Sequence, residues 1–447
     1  MSPVVSLIGI VLGLLLLIYL AYKGHSIIWV APVCALLVAV MGGLNLLQAY
    51  LGDYVKGVAD YILSWFPAFF LGAVYGKIMD MTGSARSLAN KLVKLIGSRF
   101  ALLAVVLPCL LMTYGGISLF VVVFVIYPMG YAIYREADLP RTLLPGAIAF
   151  GAFGITMTCI PGTPQIQNII PTEYYGTTAT AAPLMGIIGA VMIAVPGYLY
   201  LDWRIRSARK KGLHFTEDPK HQESAAKEQP RWHWLCGLVP LVVVVLLLNV
   251  LPMVLKKLGA AELSSSQAIV IALLGGIVTV CLMNVHQIKS LLPAVNAGAN
   301  GSLTAIMNTA CAVGFGSVVK IVPGFVLLKN AMLNMPGSIL LSESVAVNVL
   351  AGATGSASGG MSIALDALAS QYLEKAQAMG INPENLHRIA SMASGGLDTL
   401  PHNGAVLTLL AVSNCTHKES YWDVCVTSCI IPVLTSLILS LVWGLFL

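Results

Sequence analysis

Two short clusters of glycine and serine interrupt the apolar sequence and have the chemistry to bind a small anion. The residues of interest are Gly115, Gly116 and Ser118 in the first cluster, and Ser356, Ser358 and Gly359 in the second. Glycine lets backbone N–H groups approach a ligand closely, and serine hydroxyls add directed hydrogen bonds. Because a helix N-terminus carries about half a positive charge, such groups at a broken helix suit a carboxylate. We therefore predict that these residues bind a substrate anion.

Two polar segments that contain proline follow the clusters, at residues 161–168 and 397–403. Their candidate substrate ligands are Thr163, Gln165 and Asn168 in the first segment, and Thr399, His402 and Asn403 in the second. Paired Gly/Pro breaks in two halves of a membrane protein are typical of a transporter binding site. Each hydroxyl or amide could instead bond to its own helix backbone, and that alternative stays open.

Three ionisable residues near these segments are candidates for proton coupling. Asp398 and His402 are four residues apart, and Asp366 follows the second glycine cluster. Charged side chains inside a membrane are costly and usually functional, and histidine titrates near neutral pH. Lys77 and Lys320 could neutralise a substrate charge or extend to the membrane surface, and both interpretations stay open. The nine cysteines lack metal-site spacing, so neither a metal nor a cofactor is expected.

The elements that must position these residues are membrane helices. Hydrophobic residues make up 57% of the 447 residues and charged residues 10%, whereas a soluble domain has about 25% charged residues. Several apolar runs reach the roughly 20 residues that span a lipid bilayer. Basic residues at 204–211 follow one such run, as in a cytoplasmic loop, and no soluble domain presents them to nucleic acid. We predict a multi-pass protein of the bacterial inner membrane.

Three landmarks recur in the same order and indicate two related halves. The stretch Gly115-Gly116-Ile117-Ser118 recurs as Gly359-Gly360-Met361-Ser362, 244 residues later (359 − 115). Lys77 has a counterpart in Lys320, 243 residues later (320 − 77), and a proline-broken segment follows each cluster. A polar cytoplasmic linker at 202–231 separates a first membrane repeat, 1–201, from a second, 232–447. We predict an all-α polytopic fold with two structural repeats in the inverted arrangement that is common in transporters.

Each half is expected to contain a re-entrant hairpin and a broken transmembrane helix. Residues 100–134 and 338–369 are too rich in Gly, Pro, Ser and Thr for a lipid-facing helix, since irregular backbone in hydrocarbon must be buried or line a cavity. Their small residues could alternatively form a helix-packing face. Residues 84–99 and 336–343 are expected to lie along the membrane surface ahead of the two hairpins.

Four stretches of this chain match motifs of a known family. They are Gly83-Ser84-Ala85 with Leu95-Ile96-Gly97-Ser98-Arg99, Pro161-Gly162-Thr163-Pro164, Gly355-Ser356-Ala357-Ser358, and Asn403-Gly404 with Ser413-Asn414-Cys415-Thr416-His417-Lys418-Glu419. Over nearly its whole length the sequence resembles the gluconate permease family of proton-coupled organic-anion symporters, within the ion-transporter superfamily. That family typically has Pro-Pro-His-Pro in the first half and Asn-Asp-Ser-Gly-Phe in the second. Here Pro-Gly-Thr-Pro-Gln and Pro-His-Asn-Gly-Ala stand instead, as in a divergent member whose histidine has moved to the second half.

The resemblance implies import of a small organic anion together with protons, by a homodimer. The implied substrate is a hydroxy acid such as gluconate or 3-hydroxybutyrate, and sodium remains an alternative coupling ion because other members of the superfamily use it. The chain has no Gly-x-Ser-Gly or His-Glu-x-x-His motif and no Walker loop, so we expect neither an enzyme nor an ATP-driven pump. An uncoupled anion channel or uniporter is the remaining alternative.

Overall fold

The computed structural model describes residues 2–23, 25–97, 100–117, 119–217, 234–258, 263–401 and 403–445. These residues form helices joined by turns, and no strand occurs among them. A helix satisfies its own backbone hydrogen bonds, which an apolar chain surrounded by lipid requires. The predicted all-α class is confirmed.

The described part of the first half contains nine helices. They are α1 (Pro3–Tyr22), α2 (Ile27–Gly42), α3 (Leu46–Met81), α4 (Ser84–Ile96), α5 (Ala101–Tyr114), α6 (Leu119–Glu136), α7 (Arg141–Cys159), α8 (Ile166–Tyr175) and α9 (Pro183–Lys210). Helices α5 and α6 form a hairpin, and α7 and α8 are the two parts of one broken helix.

Nine further helices lie in the described part of the second half. They are α10 (Leu235–Lys257), α11 (Ser265–Met283), α12 (Ile288–Ile321), α13 (Gly324–Leu333), α14 (Ile339–Thr354), α15 (Ala357–Ala378), α16 (Pro383–Ser394), α17 (Gly404–Val412) and α18 (His417–Gly444). Here α14 and α15 form the hairpin, and α16 and α17 are the parts of the broken helix. From α3 in the first half and α12 in the second, both halves show the same order of elements.

Eight helices of the described residues are long and apolar enough to cross a membrane. They are α1, α3, α7, α9, α10, α11, α12 and α18. The first arms of the two hairpins, α5 and α14, have 14 and 16 residues, fewer than the roughly 20 that span the hydrocarbon layer. Their lengths fit hairpins that enter the membrane and return, while the inverted relation of the halves stays a prediction.

The long helices α3 and α12 pack against each other through small residues. A Cβ atom on Gly57 would overlap the Ser317 hydroxyl, and one on Gly298 would lie 2.6 Å from Val74 Cα. Without a Cβ at these positions the two backbones approach closely, which maximises van der Waals contact between helices in a membrane. Helices α3 and α12 therefore form a tightly packed pair beside the hairpins.

Two segment boundaries differ from the sequence-based expectation. The predicted surface segment 336–343 overlaps the second hairpin, because Ser338 accepts a hydrogen bond from Leu341 N at 3.2 Å and starts α14 at Ile339. The short helix ahead of this hairpin is α13 instead, in the place that α4 takes in the first half. Helix α9 continues past residue 202 to Lys210, so irregular chain begins only at residue 211.

Candidate functional site

The break between α7 and α8 lies against the tip of the first hairpin. Gln165 directly precedes α8, and its side-chain amide donates to Thr113 O at 2.7 Å and Ile117 O at 3.2 Å. Thr163 Oγ1 donates to a third tip carbonyl, that of Tyr114, at 3.2 Å. Thr113 and Tyr114 are the last residues of α5, and Ile117 lies in the turn after it, where backbone carbonyls depend on partners from outside the helix. Side chains of the break thus donate hydrogen bonds to the backbone carbonyls of the hairpin tip.

Gly116 occupies the tip position that needs a glycine. Its φ of +88° lies in the left-handed region, and a Cβ there would lie 2.7 Å from Pro164 Cγ. Glycine alone combines this backbone conformation with such close contact. The predicted ligand Gly115 precedes it, and a Cβ on Gly115 would overlap the Leu241 side chain of α10. Ser118 lies outside the described residues.

The second half repeats this arrangement between α17 and the tip of the α14–α15 hairpin. Asn403 directly precedes α17, and its Nδ2 donates to Gly355 O at 3.0 Å. Its Oδ1 accepts from Ala405 N at 2.7 Å and Val406 N at 2.9 Å and so caps the helix. Gln165 and Asn403 therefore correspond: each precedes the second part of a broken helix, and each donates an amide hydrogen to a hairpin tip.

The remaining predicted ligands of the second hairpin lie at the start of α15. Ser356 caps this helix, with its Oγ accepting from Gly359 N at 3.2 Å. Ser358 is buried, as is Gly359 in the same turn. Thr399 donates through Oγ1 to Ser428 O at 2.6 Å, which ties the second break to α18. Of these side chains, Ser358 alone makes no hydrogen bond in the described structure.

The two breaks begin beside each other. Ser391 Oγ on α16 donates to Thr158 O near the end of α7 at 2.8 Å. A Cβ on Gly395, just after α16, would lie 2.6 Å from Thr158 Cγ2. The absent side chain of Gly395 and the small one of Thr158 let the two broken helices approach at their interruptions. The end of α7 and the end of α16 therefore lie side by side.

Asn168 was predicted as a substrate ligand, but its side chain is used within the protein. Its Nδ2 donates to Thr163 O at 2.9 Å and Ala179 O at 2.8 Å. Its Oδ1 accepts from Arg388 Nη1 at 2.9 Å. With three strong protein partners, Asn168 is a structural link between α8, the following loop and α16.

The sequence-based prediction missed Arg388 and His387. Arg388 is fully buried, and its guanidinium also donates to Ala181 O from Nε at 3.1 Å and Nη2 at 2.7 Å. His387 Nδ1 lies 2.6 Å from Thr177 Oγ1. Alternating polar and apolar residues in α16 are typical of a surface helix, so the sequence carried no signal that both faces are covered.

Asp398, a predicted proton-coupling residue, lies in a 3-10 turn inside the second break. Its side chain is buried, and its Oδ1 has no hydrogen-bond partner among the described residues. The backbone after it is fixed by Tyr421, whose hydroxyl donates to Thr399 O at 3.1 Å. Its predicted partner His402 lies outside the described residues.

Asp366, the third predicted proton-coupling residue, forms an ion pair with Lys320 across α15 and α12. Lys77 pairs with Asp80 on its own helix at 3.0 Å. Both matched lysines therefore have a carboxylate partner in this conformation. No group of three or more His, Cys, Asp or Glu suited to hold a metal occurs in the described part of the chain.

We expect loss of either amide link to impair transport. Gln165→Leu removes the side-chain hydrogen bonds to Thr113 O and Ile117 O, and misplacement of the hairpin tip should lower initial uptake about tenfold or more. Asn403→Ala should act likewise on the second tip. Gln377→Leu, an exposed glutamine on α15, is the matched control and should keep wild-type uptake. Wild-type uptake by both link variants in proteoliposomes would contradict this role.

The described residues combine membrane-length helices, two helical hairpins and two adjoining broken helices, an arrangement typical of multi-pass membrane transporters. The chain matches the sequence model of the GntP family permeases over residues 2–444 and belongs to that family. It is 42% identical over 448 residues to the "Uncharacterized transporter YxjC" of Bacillus subtilis (strain 168), covering 94% of this chain and 95% of that protein. The resemblance seen in the sequence motifs is thereby confirmed.

A more distant relative and a solved structure extend the comparison. The chain is 24% identical over 408 residues to an "Uncharacterized transporter" of Haemophilus influenzae, covering 89% of this chain and 88% of that protein. Its fold is similar to the crystal structure of the Alcanivorax borkumensis YdaH transporter, which has an unusual topology. The TM-score is 0.58 at 15% identity, covering 99% of this chain and 98% of that one. The protein is thus a permease of the bacterial membrane and not an enzyme.

Proposed function

We propose that this permease is a secondary active transporter that imports a small carboxylate together with protons. The substrate class is a hydroxy acid such as gluconate or 3-hydroxybutyrate. The observation that carries the proposal is the pairing of each broken helix with a hairpin tip, with the two breaks side by side at Thr158 and Gly395. Such an assembly concentrates helix termini in one region, as a transporter that binds a charged substrate needs.

The N-terminus of α8 is the part of this region best suited to a carboxylate. Its preceding residue, Gln165, directs its side chain to the hairpin tip and gives α8 no side-chain cap. The first N–H groups of a helix without a cap are free for a ligand, and the helix dipole favours an anion there. At α17, by contrast, Asn403 already occupies the N–H groups of Ala405 and Val406. The proposed carboxylate position is therefore the first turn of α8.

Proton coupling is proposed for the second break. Asp398 has a buried carboxyl oxygen without a partner, and a buried charge is costly unless it is paired or neutralised. A proton on this carboxyl group would offset that cost and accompany the substrate anion. Together with His402, four residues on, Asp398 would then set the pH dependence of uptake. Assembly as a homodimer is proposed on the family resemblance.

The proposal is tested with the purified protein in proteoliposomes and a panel of gluconate, 3-hydroxybutyrate, lactate and glycerate. Uptake above the equilibrium level that requires an inward proton gradient and stops with a protonophore supports the symporter. Accumulation that follows a sodium gradient instead would assign sodium as the coupling ion. Flux that never exceeds equilibrium under either gradient would identify a uniporter or channel and overturn the proposal.

Asp398→Asn should abolish accumulation driven by the proton gradient, because the amide cannot bind and release the coupling proton. We expect His402→Ala to weaken the pH dependence of initial uptake. Asp202→Asn removes a carboxylate that pairs with Arg206 at 2.7 Å near the end of α9, and it should leave both properties unchanged. If Asp398→Asn and His402→Ala both keep the wild-type pH profile, the proton site lies elsewhere.

A further inference from the structure

We propose that Glu343 is a second proton-binding group of this transporter, placed where the two halves meet. This inference rests on the proposed coupling of transport to protons, but it concerns a residue outside the two breaks. Glu343 lies in the first turns of α14, about eleven residues before the hairpin tip at Thr354, roughly 16 Å along the helix. Its side chain is fully buried.

The hydrogen bonding of Glu343 is incomplete. The Tyr175 hydroxyl donates to its Oε1, whereas its Oε2 is buried and has no partner among the described residues. None of the ion pairs between described residues includes Glu343. An ionised carboxylate that is buried without a counter-charge is strongly disfavoured, and a bound proton removes the charge. The local geometry therefore favours the neutral acid in this conformation.

The titratable groups of the neighbouring helices do not supply a counter-charge. Tyr372 on α15 lies close to Glu343, and its hydroxyl is 3.1 Å from Ser342 Oγ. On the same helix, Lys375 donates to Leu333 O at 2.6 Å.

Two ionisable residues of the neighbouring α16 point to other partners. On α16, His387 contacts Thr177, and Arg388 donates to Ala181 O and Asn168. Asp398, in the turn that packs against α14, is itself an acid. The hydroxyls of Tyr175 and Tyr372 are thus the polar groups that the structure places beside the Glu343 carboxyl, and neither carries a positive charge at neutral pH.

The position of the bond explains how a proton here would couple to movement. Tyr175 ends α8, the second part of the broken helix in the first half, and Glu343 begins the hairpin of the second half. Any displacement of α8 relative to α14 changes both this hydrogen bond and the burial of the carboxyl group. Proton affinity would then differ between the two states of the transporter, which is the condition for linkage between proton binding and conformation.

The experiment separates net proton-driven transport from exchange. Glu343→Gln keeps the size of the side chain and an oxygen that accepts from Tyr175, but it cannot take up a proton. The substrate is the hydroxy acid that the wild type accumulates fastest. In proteoliposomes the variant should exchange this substrate at a rate within about twofold of wild type, because exchange needs no net proton movement. Its accumulation driven by a proton gradient should fall at least about tenfold. Glu374→Gln, an exposed glutamate on α15, is the matched control and should behave as wild type.

A second measurement does not depend on transport. Infrared difference spectra of the wild-type protein between acidic and alkaline pH should show C=O bands of protonated carboxyl groups, and Glu343→Gln should lose one component of this signal. Unchanged accumulation in Glu343→Gln, or an unchanged band, would overturn the inference while the symporter proposal stands. If the wild type itself shows no proton-driven accumulation, the proposed function fails, and the infrared band still decides whether Glu343 binds a proton.

A second variant keeps the glutamate and tests the inference even if Glu343→Gln fails to fold. Tyr175→Phe removes the donor to the ionised carboxylate and should shift the pH midpoint of uptake upward by about one unit, the equivalent of one hydrogen bond. A midpoint that matches the wild-type value would count against Glu343.

Discussion

Replacement of Arg388 by alanine should lower the free energy of unfolding by about 3–5 kcal/mol, because Ala181 O and Asn168 Oδ1 lose the guanidinium hydrogen bonds and a large cavity remains. The guanidinium is fully buried and makes hydrogen bonds from all three of its nitrogens. Through these bonds α16 holds α8 and the loop before α9 together. We expect the first break to lose its position and uptake to fall below detection. Unfolding of the purified protein in mixed detergent, together with uptake in proteoliposomes, measures both effects.

Two variants distinguish this role from a general effect of charge. Arg388→Lys keeps the positive charge but lacks the planar fork, so it should recover part of the stability. Arg206→Ala removes an exposed arginine that pairs with Asp202 one turn away, and it should change stability by less than about 0.5 kcal/mol. If Arg388→Ala unfolds at the same detergent fraction as Arg206→Ala, Arg388 is not the link that we describe.

Replacement of Gly360 by alanine should separate the arms of the second hairpin and abolish transport. A Cβ on Gly360 would overlap the backbone N and Cα of Ala351 on α14. Backbone atoms cannot turn aside as a flexible side chain does, so the arms must move apart, at a cost of about 1–3 kcal/mol or more. The displaced tip would carry Gly355 O away from Asn403, which it contacts at 3.0 Å. Uptake should fall at least about tenfold, since such contacts depend on sub-ångström placement.

Gly301→Ala is the matched control for this substitution. Gly301 is an exposed glycine in α12 with open space where a Cβ would lie. Alanine is the better helix former there by up to about 1 kcal/mol, so this variant should transport normally and be no less stable. Normal uptake by Gly360→Ala would show that the hairpin arms tolerate separation and would refute the tight contact as a requirement.

The positions of the hairpins and breaks could be predicted because their signals are local. Gly115 and Gly116 end α5, and Gly355, with φ of +59°, ends α14 in the left-handed conformation that glycine favours. Proline and glycine interrupt helices through their own backbone chemistry, whatever surrounds them. The same reasoning explains why the predicted surface segment 336–343 was wrong, since Ser338 within it caps and starts α14.

The uses of individual side chains could not be predicted in the same way. Gln165, Asn168 and Asn403 were all selected as polar residues near a break, yet their amide nitrogens donate to protein carbonyls. The sequence shows which side chains can donate but not where the acceptor lies. Gln165 and Asn403 donate to carbonyls of the hairpin tips, whereas Asn168 donates to carbonyls on either side of α8. For this reason the carboxylate site that we propose uses backbone groups of α8 rather than these side chains.

The sequence by itself determined the membrane class, the all-helical fold, the family and the order of hairpins and broken helices. The family follows from the resemblance of its motifs, and the other properties follow from composition and from the local conformational preferences of glycine and proline. Only the tertiary structure decided that Arg388 and Glu343 are fully buried and which groups face them. Burial depends on helices that are distant in the sequence. The sequences of α14 and α16 would be equally compatible with helices whose polar residues are exposed to water. For this permease, Arg388 and Glu343 became candidates only when the two halves were packed together.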